Sequence, residues 1–321
     1  SNLTVIATYI FGRVLSAVPT ILILTFIVFL AIHLVPGDYI DIMPGTQNYL
    51  TDAQLSGLYK QYGLDKPFVV QYGIWLKNLI TFNFGTSLRT GQKVSAMILE
   101  KLPVTFELAF FALFFSLVFG IPLGITSAVK RNRFGDYVVR VLGLIGLSAP
   151  TFWIGAILIV AVSGLFQDYT LFGFVSFQKD MAKNLQILLI PSLTLGLMLA
   201  AQIMRMARSS MLDVLSQEYV KVAKAKGVST WKVIYRHALK NAMIPVITTA
   251  GIQFGYLMGG TILIENMFAL PGLGRLLLQS VNQRDYPVIQ GVVLFTGVFI
   301  VLMNILVDIL YTLIDPRIDL R

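Results

Sequence analysis

Few residues in this chain are equipped for chemistry. Cysteine is absent, which excludes thiolate nucleophiles, thiolate metal sites and disulfides. Histidine occurs twice, at His33 and His237. The apolar segments between them predict that they lie near opposite faces of a membrane, too far apart for a dyad or a metal pair. His33 is expected at the interface, and His237 on a cytoplasmic loop surface. A phosphate-binding loop needs Gly, four residues, then Gly-Lys-Ser/Thr. Gly91-Gln92-Lys93 and Lys226-Gly227-Val228 both fail that pattern. No catalytic, cofactor-binding or metal-ligating residue is therefore expected. What remains is a sparse set of polar residues within or beside apolar segments: Glu107, Gln202, Gln253, Asn304 and Asp308. Such residues mark either a transport pathway or helix–helix contacts. Gln253 and Asn304 are the pathway candidates, with a structural role equally open. Asp308 either reaches water or pairs with a basic residue.

The elements that carry these residues are set by composition. Hydrophobic residues make up 56% of the 321 positions and charged ones 13%, and the mean hydropathy is +0.77. A soluble domain carries about 25% charged residues, so a bilayer must cover much of this surface. Six segments reach the roughly 20 residues that span a hydrocarbon core: 14–35, 104–129, 138–166, 187–205, 242–264 and 288–314. Pro19, Pro122, Pro150, Pro191 and Pro245 fall within spans, where kinks are expected. The first apolar stretch exceeds a signal-peptide core and lacks a small-residue cleavage site, so it is expected to stay as a span. A membrane domain is the natural reading: an all-α polytopic protein.

The net charge of +9 raises the question of nucleic acid, but the charges cluster between apolar segments and act as topology signals. Lys130, Arg131, Arg133 and Arg140 face only Asp136 in one connection. Arg205, Arg208, Lys221, Lys224, Lys226, Lys232, Arg236 and Lys240 face only Asp213 and Glu218 in another. Both connections are thus expected in the cytoplasm, with both termini. The expected organisation is an N-terminus and first span over 1–36, an extracytoplasmic segment over 37–103, and a five-span core over 104–321 with a cytoplasmic loop at 209–241. In the outer segment, Ile74 to Phe84 forms either an interfacial helix or a short helix packed on the outer ends of the spans.

The cytoplasmic loop keeps helical periodicity. Tyr219, Val222, Ala223 and Lys226 recur at i, i+3, i+4 and i+7. Gly227 suits the left-handed position that ends a helix, and Ser229 suits the start of a second one through Trp231, Ile234, Tyr235 and Ala238. Helix, tight turn, helix is the expected shape, with Ala223, Ala225 and Gly227 small enough for close approach of a partner's groove. A basic anchor with no docking role is the simpler alternative. In the last outer loop, Pro271-Gly272-Leu273-Gly274 predicts a compact turn. It is either packed on the spans or acts as a gate or binding surface together with Glu265 and Asp285.

These stretches resemble a known family. Glu218-Tyr219-Val220, Ala223-Lys224-Ala225-Lys226-Gly227, Arg236-His237-Ala238-Leu239-Lys240-Asn241-Ala242 and Ile244-Pro245 are similar to the EAA loop of ABC-importer permeases, specifically the branch serving dipeptides and oligopeptides. Matches of the same kind are Pro36-Gly37-Asp38, Tyr62-Gly63-Leu64-Asp65-Lys66-Pro67, Gly85-Thr86-Ser87, Gly120-Ile121-Pro122-Leu123-Gly124, Glu265 with Phe268, and Arg284-Asp285-Tyr286-Pro287. Their order and spacing cover nearly the whole chain. The general pattern's Glu-Ala-Ala falls on Lys221, Val222 and Ala223, and its terminal proline on Lys240, so the peptide-importer branch fits better than the generic motif.

The resemblance implies a type I ABC-importer permease fold in a bacterial or archaeal plasma membrane. It implies a second, usually non-identical permease subunit, two ATPase subunits carrying ATP and Mg²⁺, and an extracytoplasmic substrate-binding protein. Lipid would be the other contact, and nucleic acid would not be one. Glu218, Tyr219, Ala223, Ala225, Lys226, Gly227, Arg236 and His237 would form the coupling surface. Gln253, Asn304, Glu265, Pro271, Gly272, Gly274 and Asp285 would belong to the pathway or outer gate. Substrates of this branch are peptides, although some relatives carry nickel complexes, glutathione or oligosaccharides. The rival readings are an ion-gradient-driven transporter, which would place a carboxylate deep in the membrane, an intramembrane hydrolase and a channel.

Overall fold

The computed structural model describes residues 2–37, 40–41 and 51–314. Asp38 of the first outer motif lies outside them. All extended regular structure among the described residues is helical. In chain order the helices are α1 (Asn2–His33), α2 (Asp52–Gln61), α3 (Phe68–Ile80), α4 (Val94–Val129), α5 (Phe134–Ser148), α6 (Thr151–Leu165) and α7 (Met181–Leu215). There follow α8 (Glu218–Ala225), α9 (Thr230–Lys232), a π-helical stretch (Val233–Ala238), α10 (Leu239–Gly260), α11 (Ile262–Met267), α12 (Leu273–Asn282) and α13 (Tyr286–Ile314).

Among the described residues five helices are long and apolar enough to cross a membrane, and a sixth crossing exists if α5 and α6 together make one. The third expected span, 138–166, is thus corrected. It is not one kinked helix but two, bent by 103° at Ala149-Pro150. Pro150 lacks an N–H and cannot continue α5. Pro19, Pro122, Pro191 and Pro245 sit inside continuous helices. The fifth span also ends sooner than expected, at Gly260, with α11 set off as a separate turn.

The bundle is organised around α4 and α7. Ala109, Ala112, Ser116, Gly120 and Gly124 of α4 are buried at helical spacing against Gly196, Ala200, Ile203 and Ala207 of α7. A methyl group on Gly124 would lie 2.6 Å from the Met204 carbonyl oxygen, so the two backbones approach as closely as glycine permits. In lipid, where apolar burial gives little drive between helices, such packing is a main source of cohesion. The helix expected over 74–84 runs instead over Phe68–Ile80 as α3, and it packs on α1. Trp75 and Tyr72 pack on Phe29 of α1, with centroids 5.2 and 5.5 Å apart. His33 joins the same cluster, and its Nε2 lies 3.2 Å from Oε1 of Gln71.

Candidate coupling and gate sites

The end of the bundle that carries α8 holds most of the basic residues and is called the basic end; the other is the distal end. At the basic end, α8 closes as the sequence predicts. The Gly227 N–H donates to the Lys224 carbonyl (3.0 Å) and the Val228 N–H to the Ala223 carbonyl (3.2 Å), with Gly227 at φ +76°. This is the paired-bond helix ending that a left-handed residue makes possible. Nothing lies within 4 Å of a side chain added there, so the turn faces open space.

The two faces of the loop divide differently from a simple amphipathic pattern. The buried residue of α8 is Val220, whereas Tyr219 and Val222 are exposed. In the second helix Ile234 and Ala238 are buried beside Ile125, Met211 and Ala242. Trp231 (69% exposed) and Tyr235 (47%) point outward, their rings 4.7 Å apart. Tyr219, Val222, Trp231 and Tyr235 thus leave apolar and aromatic side chains uncovered on the two helices that flank Gly227. Glu218, Ala225, Lys226, Arg236 and His237 are exposed and Ala223 is half-buried. Asn241 donates to the Tyr219 hydroxyl (2.9 Å), tying α8 to the start of α10. The π-helical stretch under Arg236 and His237 has no sequence signature. Such stretches recur at functional sites.

A polar node just above this surface escaped sequence reasoning. Asp136 at the start of α5 is fully buried. It accepts from Arg208 of α7 through Nε (2.9 Å) and Nη2 (3.0 Å), from the Asn132 N–H (2.9 Å), and from the Ser127 hydroxyl of α4. The forked geometry of guanidinium on carboxylate fixes both groups. The signal in the sequence was only a lone acidic residue in a basic connection.

In the middle of the bundle Gln253 of α10 donates to the Gln202 side-chain oxygen of α7. Asn304 of α13 has a buried side-chain oxygen with no partner, and its neighbours do not include Gln253 as a hydrogen-bond partner. The structure therefore pairs one pathway candidate with Gln202 and leaves the other apart. Asp308 pairs with Arg13 of α1 (3.4 Å), and Glu107 accepts from Asn184 (2.9 Å) at the distal end.

At the distal end Glu265 of α11 is fully buried. Oε1 accepts from the Thr105 (2.7 Å) and Thr261 (2.6 Å) hydroxyls, and Oε2 from the Arg275 N–H (2.9 Å). The Leu273 N–H donates to the Thr105 hydroxyl (2.8 Å). The first N–H groups of α12, orphaned in any helix, are thus capped from α11 and α4. Gly272 is required here, because a side chain would meet the Glu265 carboxylate at 2.4 Å. A side chain at Gly274 would lie 2.8 Å from Ile262, and Pro271 precedes both glycines. A second latch is Asp285, which accepts from the Leu88 N–H (3.0 Å) and the Ser87 hydroxyl. The loop before α13 is thereby fastened to the segment before α4.

Burial pushes the Glu265 carboxyl above its ordinary value of 4.5, and the Thr261, Thr105, Arg275 and Gly274 donors only partly oppose that. A raised folded value means stability is highest when the group is protonated and falls as pH rises past 4.5. Relative to Glu265→Gln, the wild-type melting midpoint in detergent is expected to rise as pH is lowered from 8 toward 4.5. A pH-independent difference between the two proteins would contradict this.

A bundle of five or six apolar helices, tied by buried polar nodes and presenting an exposed helix–glycine–helix at one end, defines a multi-pass membrane protein. The chain belongs to the family described as the binding-protein-dependent transport system inner membrane component, which matches residues 120–320. The N-terminal companion of that family, described as a binding-protein-dependent transport system membrane component, matches residues 6–109. This chain is therefore a transport subunit. It is 40% identical to a putative peptide transport system permease protein of Brucella suis biovar 1, covering 96% of this chain and 98% of the relative. It is 41% identical to a glutathione transport system permease protein of Salmonella choleraesuis (97% and 98%). It is also 38% identical to a dipeptide transport system permease protein of Alkalihalophilus pseudofirmus (97% and 98%).

Proposed function

We propose that this chain is the permease subunit of an ATP-driven peptide importer in a bacterial or archaeal plasma membrane. The observation that carries the reading is the set of near-full-length relatives named for peptide, dipeptide and glutathione transport; glutathione is itself a short peptide. The chain would form half of the pathway, with a second homologous permease as the other half. Two ATPase subunits holding ATP and Mg²⁺ would dock at the basic end, placed in the cytoplasm by its lysines and arginines. A substrate-binding protein would deliver peptide to the distal end. The exposed Tyr219, Val222, Trp231 and Tyr235 surface beside Gly227 supports the docking role, because buried aromatics are what anchor protein interfaces. ATPase closure would move this surface and switch the bundle between access states by rigid-body motion. The Glu265 and Asp285 latches would hold the distal gate.

Proteoliposomes containing the whole transporter are expected to take up a labelled di- or tripeptide only with ATP and binding protein present. Uptake by this chain alone, driven by an ion gradient, would instead establish the secondary-transport reading. That reading has less support, because Asp308 is part-exposed and paired with Arg13, Glu107 of α4 is held by Asn184 at the distal end, and Glu265 lies outside the spans. For the docking surface, Trp231→Ala with Tyr235→Ala is expected to weaken ATPase association by at least about 2 kcal/mol, the threshold for an interface anchor. That is roughly 30-fold in Kd, measurable by titrating the purified ATPase. Unchanged affinity would remove this surface from the interface.

A further inference from the structure

A cleft of about 340 Å³ opens between α5 and α7 at the basic end, lined by Arg140, Arg205, Arg208, Ser209 and Asp213 over an apolar floor that includes Leu144 and Met204. Arg140 and Arg205 are exposed. Arg208 is held rigidly by Asp136 behind it. Asp213 is exposed and opposes the two guanidinium groups, Arg140 and Arg205, that Asp136 does not neutralise. Lys130, Arg131 and Arg133, on the connection that leads into α5, add to the same positive field.

The depth of this cleft is informative. Arg205 stands eighteen residues past Ile187, where the apolar run of α7 begins, a rise of about 27 Å. That is close to the roughly 30 Å thickness of the hydrocarbon core, so the guanidinium groups lie at headgroup level. Beside the cleft, α5 leaves Val141, Leu142, Leu144 and Ile145 more than half exposed, a surface suited to acyl chains. Basic pockets between membrane helices on the cytoplasmic side hold acidic lipid headgroups, and the planar fork of arginine matches phosphate oxygens two at a time.

We infer that the α5–α7 cleft binds a phosphate group at the membrane surface, supplied by the headgroup of an acidic phospholipid. The inference does not depend on which substrate is transported. The test uses the full-length chain, purified in neutral detergent and stripped of lipid, with the melting midpoint followed on adding phosphatidylglycerol, phosphatidylcholine or inorganic phosphate. Phosphatidylglycerol is expected to raise the midpoint and phosphatidylcholine not to. Arg140→Gln with Arg205→Gln should weaken the apparent lipid affinity by about 30-fold, the loss expected for two basic residues at an acidic surface. Arg208 is left intact so that Asp136 keeps its partner. If inorganic phosphate reproduces the shift, the same site takes phosphate from solution. Three results would overturn the proposal: no preference for phosphatidylglycerol, an unaffected double variant, or an equal loss in Lys130→Gln with Arg131→Gln, which removes two charges outside the cleft. Protection of Arg205 from an arginine-reactive probe by a co-expressed second permease, without lipid, would also overturn it and make the cleft a protein interface.

Discussion

Substituting Gly227 by valine is expected to abolish stimulation of the ATPase by substrate and binding protein while leaving the membrane bundle folded. The residue sits at φ +76°, where an L side chain costs about 1–2 kcal/mol, and a β-branched one is a genuine outlier. There is no steric clash to blame, since nothing lies within 4 Å, so the penalty is conformational. The chain can relieve it only by unwinding the bonds from Gly227 and Val228 to α8. That would shift α8, with Tyr219 and Val222, relative to the helix that carries Trp231 and Tyr235. A loss of 1–2 kcal/mol lowers an equilibrium by roughly 5–30-fold, and misalignment of the docking surface adds to that. Gly227→Asn tests the mechanism, because asparagine tolerates the left-handed region. It should retain most of the coupling. If valine and asparagine behave alike, the conformational account fails, and unchanged stimulation in the valine variant would remove the turn from the coupling path.

The largest loss of stability is expected from Asp136→Ala. The substitution leaves Arg208, whose side chain is only 22% exposed, without its counter-ion, and the Ser127 hydroxyl and Asn132 N–H without an acceptor. Breaking a buried pair in this way typically costs about 3–5 kcal/mol, with the partial exposure of Arg208 favouring the lower end. Because three helices meet at this carboxylate, the effect should appear as a lower melting midpoint and lower yield of folded protein. Removing Arg208 as well is expected to restore part of the loss, since the uncompensated charge disappears. A double variant no better than Asp136→Ala would show that the pair carries little of the effect.

The spans were legible because length and hydropathy alone decide whether a helix can cross a bilayer. The Gly227 turn was legible because one residue type is favoured at a left-handed helix end. Asp136 with Arg208 was not, since each is a charge in a basic connection and only the crossing of α5 over α7 brings them together. Glu265 could be singled out beside Gly272, but its role as a cap for α12 depends on Thr105, 160 positions away. A kink at Pro150 was expected along with four others, but that it alone would become a 103° break was not legible. Pro122 and Pro191 carry the same chemistry within unbroken helices, so neighbouring packing must decide which proline bends the chain.

That elbow sets a boundary condition on the assembled transporter. Neither α5 nor α6, at 15 residues each or about 22 Å, crosses a hydrocarbon core alone. Whether the pair crosses at its 103° bend or dips in and returns, an apolar elbow of this kind puts the final carbonyls of α5 at membrane depth. Lipid tails offer them no hydrogen bonds, and irregular backbone is tolerated there only against protein or water. A solitary copy of this chain would therefore present a polar flaw to the bilayer interior. Whatever seals that flaw, polypeptide or a hydrated passage, is as much a part of the working membrane unit as the helices themselves.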